Sequence, residues 1–195
     1  MKTKQELVSE FRRAEIIDAA RTVFARKGFS SGILDEIARE AGIAKGTVYL
    51  YFRSKQEIYK AVLDHDMAFL KNSTLQRIDA APTLRDKIRE FTLVRLENAE
   101  ARREFFQIMD NASENLALTR SQYRDWLREP VRRLATALEE AVARGEIREL
   151  PARKIAWFIA DMTRGTIQRR LMGRQRTPAE DSDLLLDFIW RALIQ

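Results

Sequence analysis

The chain has 195 residues, 33% of them charged and 45% hydrophobic, and its 35 basic against 29 acidic side chains give a formal net charge of +6. These proportions fit a globular chain of one large or two small domains and exclude a disordered one, and no window approaches the ~18 uncharged apolar residues of a membrane span. Cysteine is absent and histidine occurs once, at His65, which excludes disulfides, thiolate catalysis, cysteine-ligated zinc, histidine-rich metal sites and most catalytic triads.

The charged start, MKTKQELVSEFRR, lacks an apolar core and does not read as a secretory leader. Apolar residues recur at three and four, the helical period, so the whole chain is expected to be α-helical. The first helix is expected over 9–27, with Ile16, Ala20, Val23 and Phe24 on one stripe and Gly28 as its stop. A short helix over 33–40 carries Ile33, Ile37 and Ala41 and ends at Gly42. A third runs from Lys45 to Phe52, with Val48 and Phe52 four apart. Ser54-Lys55-Gln56-Glu57 has the form of a capping box and opens a long helix to Ala80. Pro82 begins a helix to Ala101, and 102–115 gives another. The pattern over 119–144 is helical but broken or bent at Pro130, which lacks a backbone donor, and Gly145 closes it. Pro151 takes a first-turn position for a helix to Met172. Thr177-Pro178-Ala179-Glu180 combines an N-cap, proline at N1 and glutamate at N3 at the start of the last helix. That makes nine helices, with no internal repeat.

Residues 33–55, ILDEIAREAGIAKGTVYLYFRSK, hold the functional information. They describe a short helix, a tight turn at Gly42–Ala44 and a second short helix. Such a helix-turn-helix lays its second helix in the DNA major groove. Val48 and Phe52 face inward. The outer face offers Lys45, Gly46, Thr47, Tyr49 and Tyr51. Lysine and the hydroxyls suit phosphates, the threonine methyl suits thymine, and Gly46 permits close backbone approach. Lys55 opens the next helix, where its own charge and the positive helix end both suit a phosphate. Residues 1–53 hold ten basic and seven acidic residues, a net +3 that is half of the chain's charge.

At these residues the chain resembles the DNA-binding domain of the TetR family of bacterial transcriptional repressors. The resemblance is carried by Ile17-x-x-Ala20-x-x-x-Phe24-x-x-x-Gly28-Phe29, by Ile37-Ala38-x-x-Ala41-Gly42, and by Lys45-Gly46-Thr47-Val48-Tyr49-x-Tyr51-Phe52-x-Ser54-Lys55. It covers residues 9–63. It implies that Lys45, Gly46, Thr47 and Tyr49 face bases or the backbone nearest them, and that Tyr51 and Lys55 contact phosphates. The chain departs from the family in two places. Gly32-Ile33 stand where members usually carry a Thr/Ser pair that caps the second helix, with Ser30 and Ser31 just upstream. Tyr51 stands where many members have histidine.

The resemblance further implies two domains, a DNA-binding one over 1–53 and a ligand-sensing, dimerising one over 54–195, with the last two helices of each subunit pairing into a four-helix bundle. Ile155, Phe158, Ile159 and Met162 form one suitable stripe, and Leu185, Leu186, Phe188, Ile189 and Leu193 another. Phe91, Phe105, Met109, Tyr123, Trp126, Phe158 and Met162 gather mid-chain, with Phe106 and Trp157 among them, and fit either an apolar ligand pocket or ordinary core. Asn111, Asn115, Arg95 and Arg164 are polar candidates in the same region. The expected protein is a homodimeric, cytoplasmic DNA-binding regulator that a small apolar or aromatic molecule releases from a double-stranded operator. It uses no cofactor or metal and is not an enzyme. The alternative is a helix-turn-helix protein with an architectural or cell-cycle role and no inducer.

Overall fold

The computed structural model describes residues 3–27, 32–101, 103, 116–173 and 176–194, with 116–123 placed as backbone. Among these residues the protein is all-helical. In chain order the helices are α1 (Lys4–Lys27), α2 (Ile33–Glu40), α3 (Lys45–Tyr51), α4 (Lys55–Ala80), α5 (Leu84–Ala101), α6 (Leu116–Ala143), α7 (Ala152–Met172) and α8 (Pro178–Ile194). The helix expected over 102–115 lies, but for residue 103, outside the described residues. So do Phe105, Met109 and the side chain of Tyr123.

Four expectations need correction. Helix α1 begins at Lys4, not residue 9, because Thr3 and Glu6 form a capping box: the Glu6 N–H donates to Thr3 Oγ1 at 3.2 Å, and the Thr3 N–H donates to the Glu6 carboxylate at 2.7 Å. Of the break or bend expected at Pro130 there is no break: helix α6 runs through it, with Leu127, Val131 and Leu134 on either side held in the core. Proline also sits differently at two helix starts. Thr83, not Pro82, caps α5 by accepting the Asp86 N–H at 3.1 Å, and Pro151 is the N-cap of α7 rather than its first turn. The Thr177–Glu180 box forms as its sequence predicts, with Glu180 N–H to Thr177 Oγ1 at 3.2 Å and Thr177 N–H to the Glu180 carboxylate at 2.7 Å.

The chain folds as two compact units, one holding the described residues through Asp66 and the other those from Met67. In the first, α1 packs on α2 and α2 on α3. Ile16, Ala20, Val23 and Phe24 of α1 close on Ile33, Ile37, Val48 and Phe52, all buried. The Phe24 ring meets Tyr59 edge-on at 5.5 Å. Gly42, at φ +66°, ends α2: its N–H reaches Arg39 O at 3.2 Å and the Ile43 N–H reaches Ala38 O at 2.9 Å, the bond pair of a Schellman stop. One carboxylate is enclosed here. Asp66, with no side-chain exposure, accepts Arg21 Nε at 3.1 and 3.0 Å and Nη2 at 2.8 Å. Burial pulls the Arg21 guanidinium down, but its bonds to Asp66 and Asp18 outweigh that and hold it above its ordinary value.

In the second unit α5 packs against α6, α7 and α8, and α7 packs against α6 and α8. Ile88, Phe91, Leu134, Leu138, Ala156, Ile159, Leu186 and Ile189 are at the centre. Gly145, at φ +71°, stops α6 with the same bond pair, Gly145 N–H to Val142 O and Glu146 N–H to Ala141 O, both at 3.0 Å. Polar groups are enclosed along with the aliphatic ones. Thr92 Oγ1 and Ser182 Oγ share a 2.7 Å hydrogen bond between α5 and α8. Fully buried Arg95 lies 5.0 Å over the Phe91 ring and donates to Ala160 O at 3.3 Å. Arg170, 8% exposed, binds Glu100 of α5, Asp181 of α8 at 2.5 Å and Arg176 O at 2.6 Å. No described helix is long and apolar enough to cross a membrane.

Candidate nucleic-acid interface

A seven-residue helix cannot hold itself together in water; α3 exists because Val48 is locked into the first unit's core and Phe52 closes behind it. Arg13 of α1 secures the far end, donating to Tyr51 O at 3.1 Å while its guanidinium stacks 4.2 Å over the Phe52 ring. With Val48 fixing the inward direction, the opposite face is solvent-exposed. Lys45, Gly46, Tyr49 and Leu50 are exposed there, Tyr49 by 48% and Leu50 by 81%. Thr47 and Tyr51 lie half-buried on the flanks.

The five expected residues of α3 are therefore on or beside one surface. Lys45 is not a bare cation, however. Its ammonium lies 2.9 and 3.0 Å from the two carboxylate oxygens of Asp35, in the first turn of α2. The hydrogen bond to Asp35 raises Lys45 above the ordinary lysine value. A built Cβ on Gly46 would meet nothing within 4 Å. Lys55 sits on the following helix, half-buried. That helix start is satisfied internally: Ser54 Oγ accepts the Glu57 N–H at 3.2 Å, and the Glu57 carboxylate accepts the Arg53 N–H at 2.8 Å. The carboxylate thus reaches one residue further back than the usual box. At the start of α2, Gly32 is the N-cap and supplies no side-chain hydrogen bond.

Sequence reasoning missed Asp35 and Leu50. For Leu50 the signal was present, since two residues of helix turn it ~200° from Val48 and so directly outward. For Asp35 nothing in the linear sequence announced that a residue ten positions upstream would meet Lys45. Bulk charge is also less available than counting suggests. Lys27 pairs with Glu36 at 2.6 Å, Arg26 with Glu40 at 3.5 Å, Arg12 with Glu15 at 2.8 Å and Arg21 with Asp18 at 2.6 Å.

The aromatic candidates of the second unit do not share one environment. Phe91 is closed in the core, Met162 packs half-buried against it, and Trp126 is half-buried. Phe158 is 59% exposed. On α8, Leu184 is 55% and Phe188 65% exposed, while Leu186, Ile189 and Leu193 are buried. Helix α8 thus has two apolar faces, one of them without cover in the single chain.

The family model described as "Bacterial regulatory proteins, tetR family" matches residues 16–62, the span that contains α2, α3 and the buried face of α1. The uncharacterized HTH-type transcriptional regulator YfiR of Bacillus subtilis is 27% identical over 175 residues, 82% of this chain and 80% of that protein. The HTH-type transcriptional regulator TtgR of Pseudomonas putida is 27% identical over 179 residues, 88% of this chain and 84% of its own. Among solved structures, the transcriptional regulator FadR from Bacillus subtilis in complex with stearoyl-CoA superposes with a TM-score of 0.77 over 90% of this chain and 96% of that one, at 24% identity. It shares the fold.

Proposed function

This chain is a transcriptional regulator of the TetR family, and on that premise we propose that it is a homodimeric repressor, acting in the cytoplasm, whose hold on operator DNA is released by a small molecule. The observation that carries this reading is α3, a helix with a locked inner side and an open outer side bearing Lys45, Gly46 and Tyr49, with Thr47 and Tyr51 on its flanks. The DNA-reading domain is assigned to residues 1–53 and the sensing domain to 54–195. Tyr49, Thr47 and Gly46 approach bases; Tyr51 and Lys55 bind phosphate; Lys45 exchanges Asp35 for a phosphate as the DNA arrives.

Dimerisation through the last two helices is supported by the second apolar face of α8, with Leu184 and Phe188 outward, and by Phe158 on α7. A two-fold pair also presents two reading helices to half-sites ~34–36 Å apart. The ligand is assigned to the second unit, which has aromatic residues such as Phe91 and Trp126. A long-chain acyl thioester of the kind bound by the Bacillus subtilis structure fits the apolar class of inducer. Ligand binding would shift the population toward a state whose two reading helices no longer match successive grooves.

The test is binding of the full chain to DNA from upstream of its own gene at several salt concentrations. A salt-sensitive, sequence-preferring complex is expected, and Tyr49→Ala with Lys55→Ala should abolish the preference. Unchanged affinity in that double variant would overturn the site. Stearoyl-CoA is the first probe for release, read as loss of the complex together with a raised melting temperature of the free protein.

A further inference from the structure

Helix α3 points one large apolar side chain directly away from the protein. Leu50 stands opposite the buried Val48 and is 81% exposed. Gly46, one helical turn earlier on the same line, has open space where a Cβ would be. The outermost ridge of the helix is therefore Gly46 and Leu50, and the polar residues Lys45, Thr47 and Tyr51 flank it. A leucine here has no donor to offer a phosphate. Left in water, its side chain forfeits the free energy its burial would give. Within a major groove the apolar feature on the base edges is the 5-methyl group of thymine. Because the ridge is bare at Gly46, the helix backbone can settle deep enough for a side chain of leucine's length to reach the groove floor.

We infer that Leu50 is a specificity-determining residue that reads the 5-methyl group of a thymine in each half-site. The inference rests on the reading of α3 as the DNA-reading helix. Leu50 supplies van der Waals contact and excludes water from the methyl group, while the flanking polar residues fix register on the phosphates. The discrimination is against cytosine and against any pyrimidine without that methyl group.

The experiment uses the full chain and a random-sequence, unmethylated duplex pool. The sequence selected by the wild type is resynthesised with each thymine replaced in turn by deoxyuridine, which keeps the pairing and removes only the methyl group. At one symmetry-related pair of positions the wild type should lose about four-fold in affinity per methyl group. Leu50→Ala, at an exposed site, should keep the wild-type melting temperature and lose nothing further when those thymines become deoxyuridine. Equal deoxyuridine losses in the wild type and Leu50→Ala would overturn the inference. So would a Leu50→Ala variant that weakens all duplexes alike, or one that weakens none, which would leave Leu50 to a protein–protein contact. If the wild type itself gives no salt-sensitive complex with any duplex, the DNA reading of α3 fails, and this inference with it. That outcome is distinguishable from the others because it appears before any substitution is made.

Discussion

Among the described residues, the interior of the unit through Asp66 is aliphatic and aromatic apart from the Asp66 carboxylate and the Tyr59 hydroxyl, whereas in the unit from Met67 several hydroxyls and two guanidinium groups sit among the aliphatic side chains. The first is specified chiefly by volume: Ile16, Phe24, Ile37, Val48 and Phe52 fill the space between three helices, and Arg13 closes the end of α3. The second is specified by direction as well. Thr92 with Ser182, and Arg170 with Glu100 and Asp181, tie particular turns of α5, α7 and α8 together. A buried polar group is stable only in the arrangement that satisfies it. Close packing holds the first unit to one shape, and directional bonds hold the helices of the second in register.

Removing the cation from each enclosed ion pair separates the two units most strongly. Arg21→Met strips Asp66 of three hydrogen bonds in a site without solvent and should cost about 3–5 kcal/mol. Arg170→Met leaves Glu100 and Asp181, which keep some solvent, and should cost about 1–3 kcal/mol. Denaturant unfolding followed by far-UV circular dichroism measures both, and equal losses would contradict the difference drawn between the units. Next come the two left-handed glycines. Gly42→Ala and Gly145→Ala face the same backbone penalty of about 1–2 kcal/mol, one in each unit. Thermal melting should show similar losses, but only Gly42→Ala should also weaken DNA binding, since it sits in the turn that sets α3.

Smaller effects follow at the surface. Asp35→Asn spares Lys45 the exposed ion pair that it gives up on reaching phosphate and should tighten DNA binding by about two- to five-fold, leaving the melting temperature unchanged. Unchanged affinity would mean that Lys45 stays clear of the DNA. The smallest effect is on acidification. Glu6 and Glu180 are held below the ordinary glutamate value chiefly by the backbone N–H groups of Thr3 and Thr177. With the folded pKa below the unfolded one, their stabilisation is full above the unfolded value and is lost as pH falls through the folded one. Ellipticity should therefore show a slight loss at the starts of α1 and α8 below about pH 4.3. Glu6→Gln combined with Glu180→Gln should flatten it.

The helix-turn-helix is legible in the sequence because its signals are local: the buried spacing of Ile37, Val48 and Phe52, the stop at Gly42, and the box at Ser54 all lie within a short stretch of chain. Less local facts are not. The true start of α1 is masked because Leu7, Val8 and Phe11, each more than half exposed, obscure the core stripe that begins at Ile16, although the Thr3–Glu6 box marks it. Pro130 reads as a break or a bend because the sequence shows the missing donor but not the packing of Leu127 and Val131 that carries α6 through it. Aromatic character alone groups the pocket candidates, and it does not distinguish the closed core position of Phe91 from the outward one of Phe158. That distinction depends on which side of each helix its neighbours take.

On the proposed reading of α3, Gly46 sets the protein's stability against its use. An alanine there would meet no atom of the protein and would favour the helix by about 0.5–1 kcal/mol. Any screen for thermostable variants would therefore select Gly46→Ala, and nothing in the isolated protein would warn against it. The objection comes only from outside, when a surface arrives close enough to meet the added methyl group. A sturdier variant that no longer finds its operator would mark the distance between α3 and DNA to within one carbon atom.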